Sequence, residues 1–116
     1  MTDIHHNFAD DIMEAAASEA IEAVVIGNFG CGNDYDQNAT PQQIAGDKRG
    51  VLLSWDEARR LLSYPYDSDY GVADCHAIYA WTANRVIYVL EYDGSTQVKS
   101  VPRNPVAAYP SMSGRC

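Results

Sequence analysis

An apolar stripe with four-residue spacing opens the chain. Its members are Phe8, Ile12, Ala16 and Ala20. This spacing is typical of one face of an α-helix, and the alanine- and glutamate-rich composition of residues 7–23 favours the same structure. Asn7 is a suitable N-cap, and Asp10 and Asp11 would lie in the first turn, where acids complement the helix dipole. The sequence therefore predicts a helix over residues 7–23.

A second helix is predicted after a short apolar run at residues 51–53, which is itself compatible with a strand. Ser54 followed three residues later by Glu57 matches a capping box at a helix N-terminus. The helix would continue with its apolar residues on one face and end before Pro65. Those apolar residues are Ala58, Leu61 and Leu62.

β-strands are indicated by runs of β-branched and aromatic residues. Residues 22–26 predict a buried strand that stops at Gly27. The C-terminal half predicts a β-meander with strands at residues 75–81, 85–92 and 95–101. Asp93-Gly94 is a strong hairpin signal between the last two.

The middle strand of this meander is apolar on both faces. Val86, Tyr88 and Leu90 alternate with Ile87 and Val89. We therefore expect helices to cover one face and a second surface to cover the other. The last strand alternates polar and apolar residues, which suits a sheet edge.

These elements predict an α+β fold: a mostly antiparallel sheet of four to five strands, with two helices packed against it and a C-terminal β-meander. The length of 116 residues is enough for one domain, over residues 1–116. Residues 1–6 and 105–116 are expected to be flexible.

Charge narrows the choice of partners. Eight basic against 16 acidic residues give a net charge of −8 with neutral histidines. A negative field opposes direct binding to nucleic acid or to an anionic membrane and favours a partner with a basic surface. The three cysteines form no CxxC pair, and no secretory signal or membrane-spanning run is visible. A cytoplasmic location is therefore predicted.

The stretch SYPYDSDYG at residues 63–71 holds three tyrosines and two aspartates. In one interpretation, one or two rings fold back onto the core and the aspartates only keep the turn soluble. In the other, the stretch is a binding surface, because tyrosine is enriched at interfaces and acidic neighbours steer towards a basic patch. Residues 33–38 repeat this chemistry. The second interpretation predicts these partner-binding residues: Asp34, Tyr35, Asp36, Tyr64, Tyr66, Asp67, Asp69 and Tyr70.

Catalytic and cofactor motifs are incomplete. The glycines of residues 27–32 follow a strand, but no lysine and no immediate helix follow, as a phosphate cradle requires. The D-x-D-x-N pattern at residues 34–38 begins like a calcium loop, yet Ala39 and Ala45 stand where glycine and glutamate are needed. We therefore predict no catalytic residues, no metal and no cofactor.

Residues 81–105, WTANRVIYVLEYDGSTQVKSVPRNP, together with residues 54–71, resemble small uncharacterised accessory proteins of tailed bacteriophages. The resemblance implies no established active site. It implies a context of host takeover or escape from host defence, in which such a protein binds and blocks a bacterial component in the host cytoplasm.

Three functions remain open. The leading hypothesis is a non-enzymatic, phage-encoded protein that inhibits a host protein with a basic surface, for example one of a defence system, through an acidic, tyrosine-rich surface. One alternative is a small-ligand binder that sequesters a nucleotide-like signal with Trp81, Arg85 and Arg103. The other is a small metal-assisted hydrolase that uses the aspartates. The sequence leaves the oligomeric state open.

Overall fold

The computed structural model of the protein describes residues 5–30, 44–67, 74–92 and 95–110. The helices and strands in these ranges are β1 His5–Asn7, α1 Phe8–Ala15, β2 Ala23–Phe29, β3 Leu52–Leu53, α2 Trp55–Leu62, β4 Pro65–Asp67, β5 His76–Trp81, β6 Arg85–Tyr92 and β7 Ser95–Pro102. A 3-10 turn at Gly46–Lys48 precedes β3. The predicted α+β class is confirmed.

Five strands form one antiparallel sheet in the order β3-β2-β5-β6-β7. The predicted meander is present as β5, β6 and β7, and β7 lies at the edge as expected. Tyr92 pairs with Ser95 across the predicted hairpin, whose Asp93 and Gly94 lie outside the described residues. The sequence did not predict a second, two-stranded sheet in which β1 pairs with β4.

α1 begins as predicted and ends earlier. Asn7 is the N-cap, and its side-chain oxygen accepts a hydrogen bond of 3.1 Å from the backbone N–H of Asp10. The helix ends at Ala15 instead of continuing to residue 23, because Ala17 and Ser18 have φ angles of 54° and 73°. Left-handed backbone cannot continue a right-handed helix and costs about 1 kcal/mol for each such residue. The chain thereby turns towards β2.

α2 begins where the capping box predicts. The Ser54 hydroxyl accepts a hydrogen bond of 3.3 Å from the backbone N–H of Glu57. The Glu57 carboxylate contacts Lys48 at 2.5 Å, which raises the pKa of the lysine through that hydrogen bond and the charge of the carboxylate. α2 is thus tied to the 3-10 turn before it.

β2 does not stop at Gly27. It continues to Phe29, with a register shift against β5 between Ile26 and Phe29. The shift returns Phe29 to the buried face, where it is 5% exposed and faces the His76 ring edge-on. A glycine inside a strand commonly accompanies such an irregularity.

One core cluster lies between the helices and a single face of the five-stranded sheet. The helices contribute Phe8, Ile12, Ala58 and Leu62, and the sheet contributes Val24, Ile26, Ile78, Ala80 and Ile87. Consecutive strand residues point to opposite faces, so the intervening side chains lie on the other side of the sheet. Both described helices therefore share one face of the sheet.

Candidate protein-binding surfaces

The first half of SYPYDSDYG is a structural strand. β4 Pro65–Asp67 pairs with β1, with Tyr66 opposite His6 and Asp67 opposite His5. Tyr64 is 7% exposed and Tyr66 is 1% exposed. The prediction that these two rings project outward as partner-binding anchors is wrong, because strand alternation directs both of them to the core side of β4.

The other predicted site residues cannot be placed in the same way. Five of them lie outside the described residues: Asp34, Tyr35, Asp36, Asp69 and Tyr70. The backbone of Asp67 is described as the last residue of β4, beside β1. Partner binding by these six residues stays a prediction.

Tyr66 is held from two sides. Its hydroxyl donates a hydrogen bond of 2.5 Å to Asp11 Oδ2, and its ring lies edge-on to Phe8 with the centroids 5.2 Å apart. His6 Nδ1 lies 3.3 Å from the same Asp11 oxygen. Burial, together with the hydrogen bond to Asp11, raises the pKa of Tyr66. The side chain therefore acts as an internal brace between β4 and α1.

Tyr64 is also buried and forms hydrogen bonds inside the protein. Its hydroxyl accepts a hydrogen bond of 2.8 Å from the backbone N–H of His76 and lies 2.8 Å from His76 Nδ1. The direction of the contact with Nδ1 depends on the tautomer of the imidazole: the hydroxyl donates to a bare Nδ1 or accepts from a protonated one. Burial, with a smaller effect of Arg49, lowers the pKa of His76 to about 4. Tyr64 and His76 thus form a neutral, buried polar pair.

Negative charge is concentrated in the first part of the chain. Residues 1–47 hold nine acidic residues and no lysine or arginine, whereas residues 48–116 hold seven acidic and eight basic residues. Two of the early acids are paired: Glu22 Oε1 lies 2.9 Å from Arg103 Nη1, and Glu19 Oε2 lies 3.9 Å from Arg85 Nε. The hydrogen bond from Thr82 is the main reason why the pKa of Glu19 is lowered.

Unlike Glu19 and Glu22, the acidic residues of α1 form no ion pair with an arginine or lysine of the described residues. Asp10 and Glu14 are exposed, stand four residues apart on one side of the helix, and take part in none of the ion pairs of the described residues. Asp11 is partly exposed and contacts only the histidine His6 as a possible cation. We call Asp10, Asp11 and Glu14 the α1 acidic surface. Sequence reasoning missed it, although the absence of basic residues before Lys48 is a readable signal.

The second candidate is the sheet face that the described helices leave uncovered, which we call the open sheet face. Its side chains come from all five strands: Leu52, Ala23, Val25, Gly27, Ala77, Tyr79, Trp81, Val86, Tyr88, Leu90, Gln97, Lys99 and Val101. Leu52 is 71% exposed, Tyr79 58% and Val101 45%. Gly27 and Ala77 leave a shallow depression beside Tyr79 and Tyr88.

This face is chemically uniform. Lys99 is the one charged residue among its described members, and no carboxylate belongs to it. The expectation that β6 is apolar on both faces is confirmed by the buried Ile87 and by the position of Val86 and Tyr88 on the open side. The second surface expected over this face is not formed by either described helix.

The residues of the nucleotide-binding alternative are not brought together, and most aspartates of the hydrolase alternative lie outside the described residues. Trp81 lies on the open sheet face, whereas Arg85 lies on the helix side and donates a hydrogen bond to Ser100 Oγ. Arg103 is engaged by Glu22 and by the carbonyl of Thr82. No group of three metal-ligating side chains is found within residues 5–30, 44–67, 74–92 and 95–110.

Comparison with models of protein families, with curated proteins and with solved structures finds no match to this chain. α1 and α2 have eight residues each, and no described helix is long and apolar enough to cross a membrane.

Proposed function

We propose that this protein is a non-enzymatic binding protein that inhibits a host protein with a basic surface, and that the α1 acidic surface makes the contact. The observation that carries the proposal is the concentration of carboxylates on α1, in a segment without lysine or arginine, where Asp10 and Glu14 take part in no ion pair of the described residues. Bacteriophage origin, the host cytoplasm and a role against host defence are parts of this proposal and are supported by the resemblance of residues 54–105.

The charge distribution supports steering of a basic partner. A surface of one sign raises the rate at which an oppositely charged protein docks and rejects partners of the same sign. Asp10 and Glu14 also repel each other at four-residue spacing, which slightly destabilises an isolated helix. A partner that supplies Lys or Arg side chains would relieve this repulsion.

Part of the acidic stretch predicted from sequence adjoins the same surface. β4 ends at Asp67, opposite His5, and β1 leads directly into α1. Asp67 is therefore included in the proposed surface, and partner binding by Asp69 and Tyr70, which lie outside the described residues, stays a prediction. Tyr64 and Tyr66 support it from inside, since Tyr66 holds Asp11 through its hydroxyl.

Capture from a bacterial lysate tests the proposal with two charge-matched variants. Asp10→Lys/Glu14→Lys reverses the exposed acids of α1, and Asp47→Lys/Asp56→Lys makes the same change in charge elsewhere. Each pair includes one residue from the first turn of an α-helix, so the cost to the helix dipole is matched. Circular dichroism and thermal unfolding establish that both variants are folded.

We expect the wild type and Asp47→Lys/Asp56→Lys to retain the same basic protein, and Asp10→Lys/Glu14→Lys to lose it. Retention should weaken with added salt, because exposed charges are screened. Equal retention by both variants, or a partner that no salt concentration displaces, would contradict the α1 assignment.

A further inference from the structure

We propose that the open sheet face is a self-association surface: a second copy of this chain covers it, so that two sheets pack face to face in a symmetric dimer. The proposal rests on the face itself and does not depend on the proposed function. The open sheet face is the side of the five-stranded sheet that neither described helix covers.

The open sheet face exposes a contiguous apolar surface that another molecule would be expected to cover. One row across the sheet runs Leu52, Val25, Tyr79, Tyr88 and Lys99, and a second runs Ala23, Trp81, Val86 and Val101. The water-facing side of an antiparallel sheet normally carries polar residues, whereas these two rows are apolar apart from Lys99. A contiguous apolar patch of this kind marks an interaction site.

Charge selects a second copy as the occupant. The chain carries −8 overall, yet the described residues of this face contribute no carboxylate. Two copies can therefore meet here without bringing acids into contact, and an apolar face is complementary to itself in a twofold dimer. A basic partner would find no carboxylate on this face and would be repelled by Lys99.

The geometry also accommodates Lys99. With the twofold axis along β5, the middle strand, β7 of one copy lies over β3 of the other. Lys99 of each copy then faces the exposed Leu52 of the other, where its aliphatic stem covers the leucine and its ammonium group reaches water.

The size of the face is that of a weak, reversible dimer rather than an obligate one. Five strands about 4.8 Å apart and roughly five residues of strand length give a patch of about 20 by 17 Å. Pairing two copies would remove on the order of 800–1,000 Å² from water, near the lower limit for a specific interface. We therefore expect a dissociation constant of about 1–100 μM rather than an obligate dimer.

The dimer would leave the proposed partner surface free. α1 packs on the opposite side of the sheet, where Phe8 and Ile12 join the core cluster. Two copies paired through their open faces would carry their α1 acidic surfaces outward. Failure of the proposed function and failure of the dimer are thus separate results.

Sedimentation equilibrium of the full chain, from about 1 to about 300 μM, tests self-association. Tyr79→Glu/Val101→Glu places two carboxylates in the centre and at one side of the face, away from the predicted contact between Leu52 and the Lys99 of the other copy. The matched control is Val106→Glu/Tyr109→Glu, which adds the same charge at side chains that are 63% and 102% exposed after β7. All three proteins are compared by circular dichroism and thermal unfolding.

We expect the wild type and the Val106→Glu/Tyr109→Glu control to dimerise, and Tyr79→Glu/Val101→Glu to raise the dissociation constant at least tenfold. A wild type that stays monomeric at the highest concentration would overturn the proposal. Loss of the dimer in the Val106→Glu/Tyr109→Glu control would also overturn the proposal, because the segment after β7 would then form the contact between the copies.

Two measurements on the wild type keep the test independent of mutant folding. Raising NaCl from about 50 to about 500 mM should strengthen the dimer by roughly threefold or more, since it screens repulsion between two acidic chains. Isotope-filtered NOEs in a mixture of labelled and unlabelled protein should connect Tyr79 and Trp81 to the other copy. A dimer that weakens with salt, or intermolecular NOEs confined to α1, would contradict pairing through the open face.

Discussion

The Tyr66 hydroxyl donates a hydrogen bond of 2.5 Å to Asp11 Oδ2 and so joins β4 to α1 across 55 residues of sequence. The same carboxylate lies 3.3 Å from His6 Nδ1. Tyr66, a candidate for a binding surface from the sequence, therefore takes part in a structural contact. The ring is enclosed, and only the carboxylate end of the contact reaches the surface.

Removing this hydroxyl should cost stability. Tyr66→Phe keeps the ring against Phe8 but removes the donor to Asp11, and a hydrogen bond to a partly exposed carboxylate contributes about 1–2 kcal/mol. Urea unfolding of Tyr66→Phe, Asp11→Asn and the double variant measures the coupling between the two side chains. Additive effects of the two substitutions would show that the contact contributes nothing.

His76 should make stability depend on pH. Its pKa is lowered from the ordinary histidine value of 6.5 to about 4 in the folded protein, so the unfolded chain binds more protons between these values. Stability contributed by neutral His76 is thus present above pH 6.5, falls as the pH drops towards 4, and amounts to about 2–3 kcal/mol. NMR titration of the imidazole measures the pKa directly.

A matched pair of variants isolates this effect from the carboxylates that titrate nearby. We expect His76→Gln to lose stability at neutral pH and to show a shallower decline between pH 6.5 and 4.5 than the wild type. His6→Gln, at an exposed histidine, should keep the steep decline. An imidazole that titrates near 6.5 in the folded protein would refute the buried, neutral His76.

Thr82 organises the turn between β5 and β6. It is buried, and its hydroxyl donates to Glu19 Oε1 and accepts from the backbone N–H groups of Asn84 and Arg85. Thr82→Val leaves these groups without their partner and should destabilise the fold by about 1–3 kcal/mol. It should also raise the pKa of Glu19, which the threonine hydroxyl lowers.

Thr82→Ser is the control, because it keeps the hydroxyl and removes only a methyl group. In denaturant unfolding, the free energy of unfolding of Thr82→Ser should be close to that of the wild type. The pKa of Glu19, measured by carboxylate NMR, should stay lowered in this variant. Equal destabilisation by valine and serine would mean that packing of the methyl group, and not the hydroxyl, holds the turn.

Local signals predicted most of the fold. Asn7 and Ser54 mark both helix starts, and the runs at residues 85–92 and 95–101 give the strands of the hairpin. The end of α1 was not predicted, because alanine and glutamate favour helix in every local context, whereas the left-handed Ala17 and Ser18 are imposed by the path to β2.

The candidate surfaces depend on contacts that no local pattern reports. The alternation of Tyr64 and Tyr66 with Pro65 and Asp67 is a strand signal, but its partner β1 lies about 60 residues earlier in the chain. Without knowledge of that pairing, the sequence is equally compatible with buried and with exposed tyrosines. The open sheet face was partly predictable, since Val86, Tyr88 and Leu90 make one side of β6 apolar. Only the register of the sheet shows that Leu52 and Tyr79 lie on this same side and extend it.

The central claim is that the two sides of the molecule bind different occupants: a basic partner at the α1 acidic surface and a second copy at the open sheet face. The most direct test compares lysate capture by Asp10→Lys/Glu14→Lys and by Tyr79→Glu/Val101→Glu, both verified as folded. We predict that the α1 variant loses the basic partner and that the sheet variant retains it as well as the wild type. The reverse result, with the partner lost by the sheet variant and kept by the α1 variant, would contradict the account.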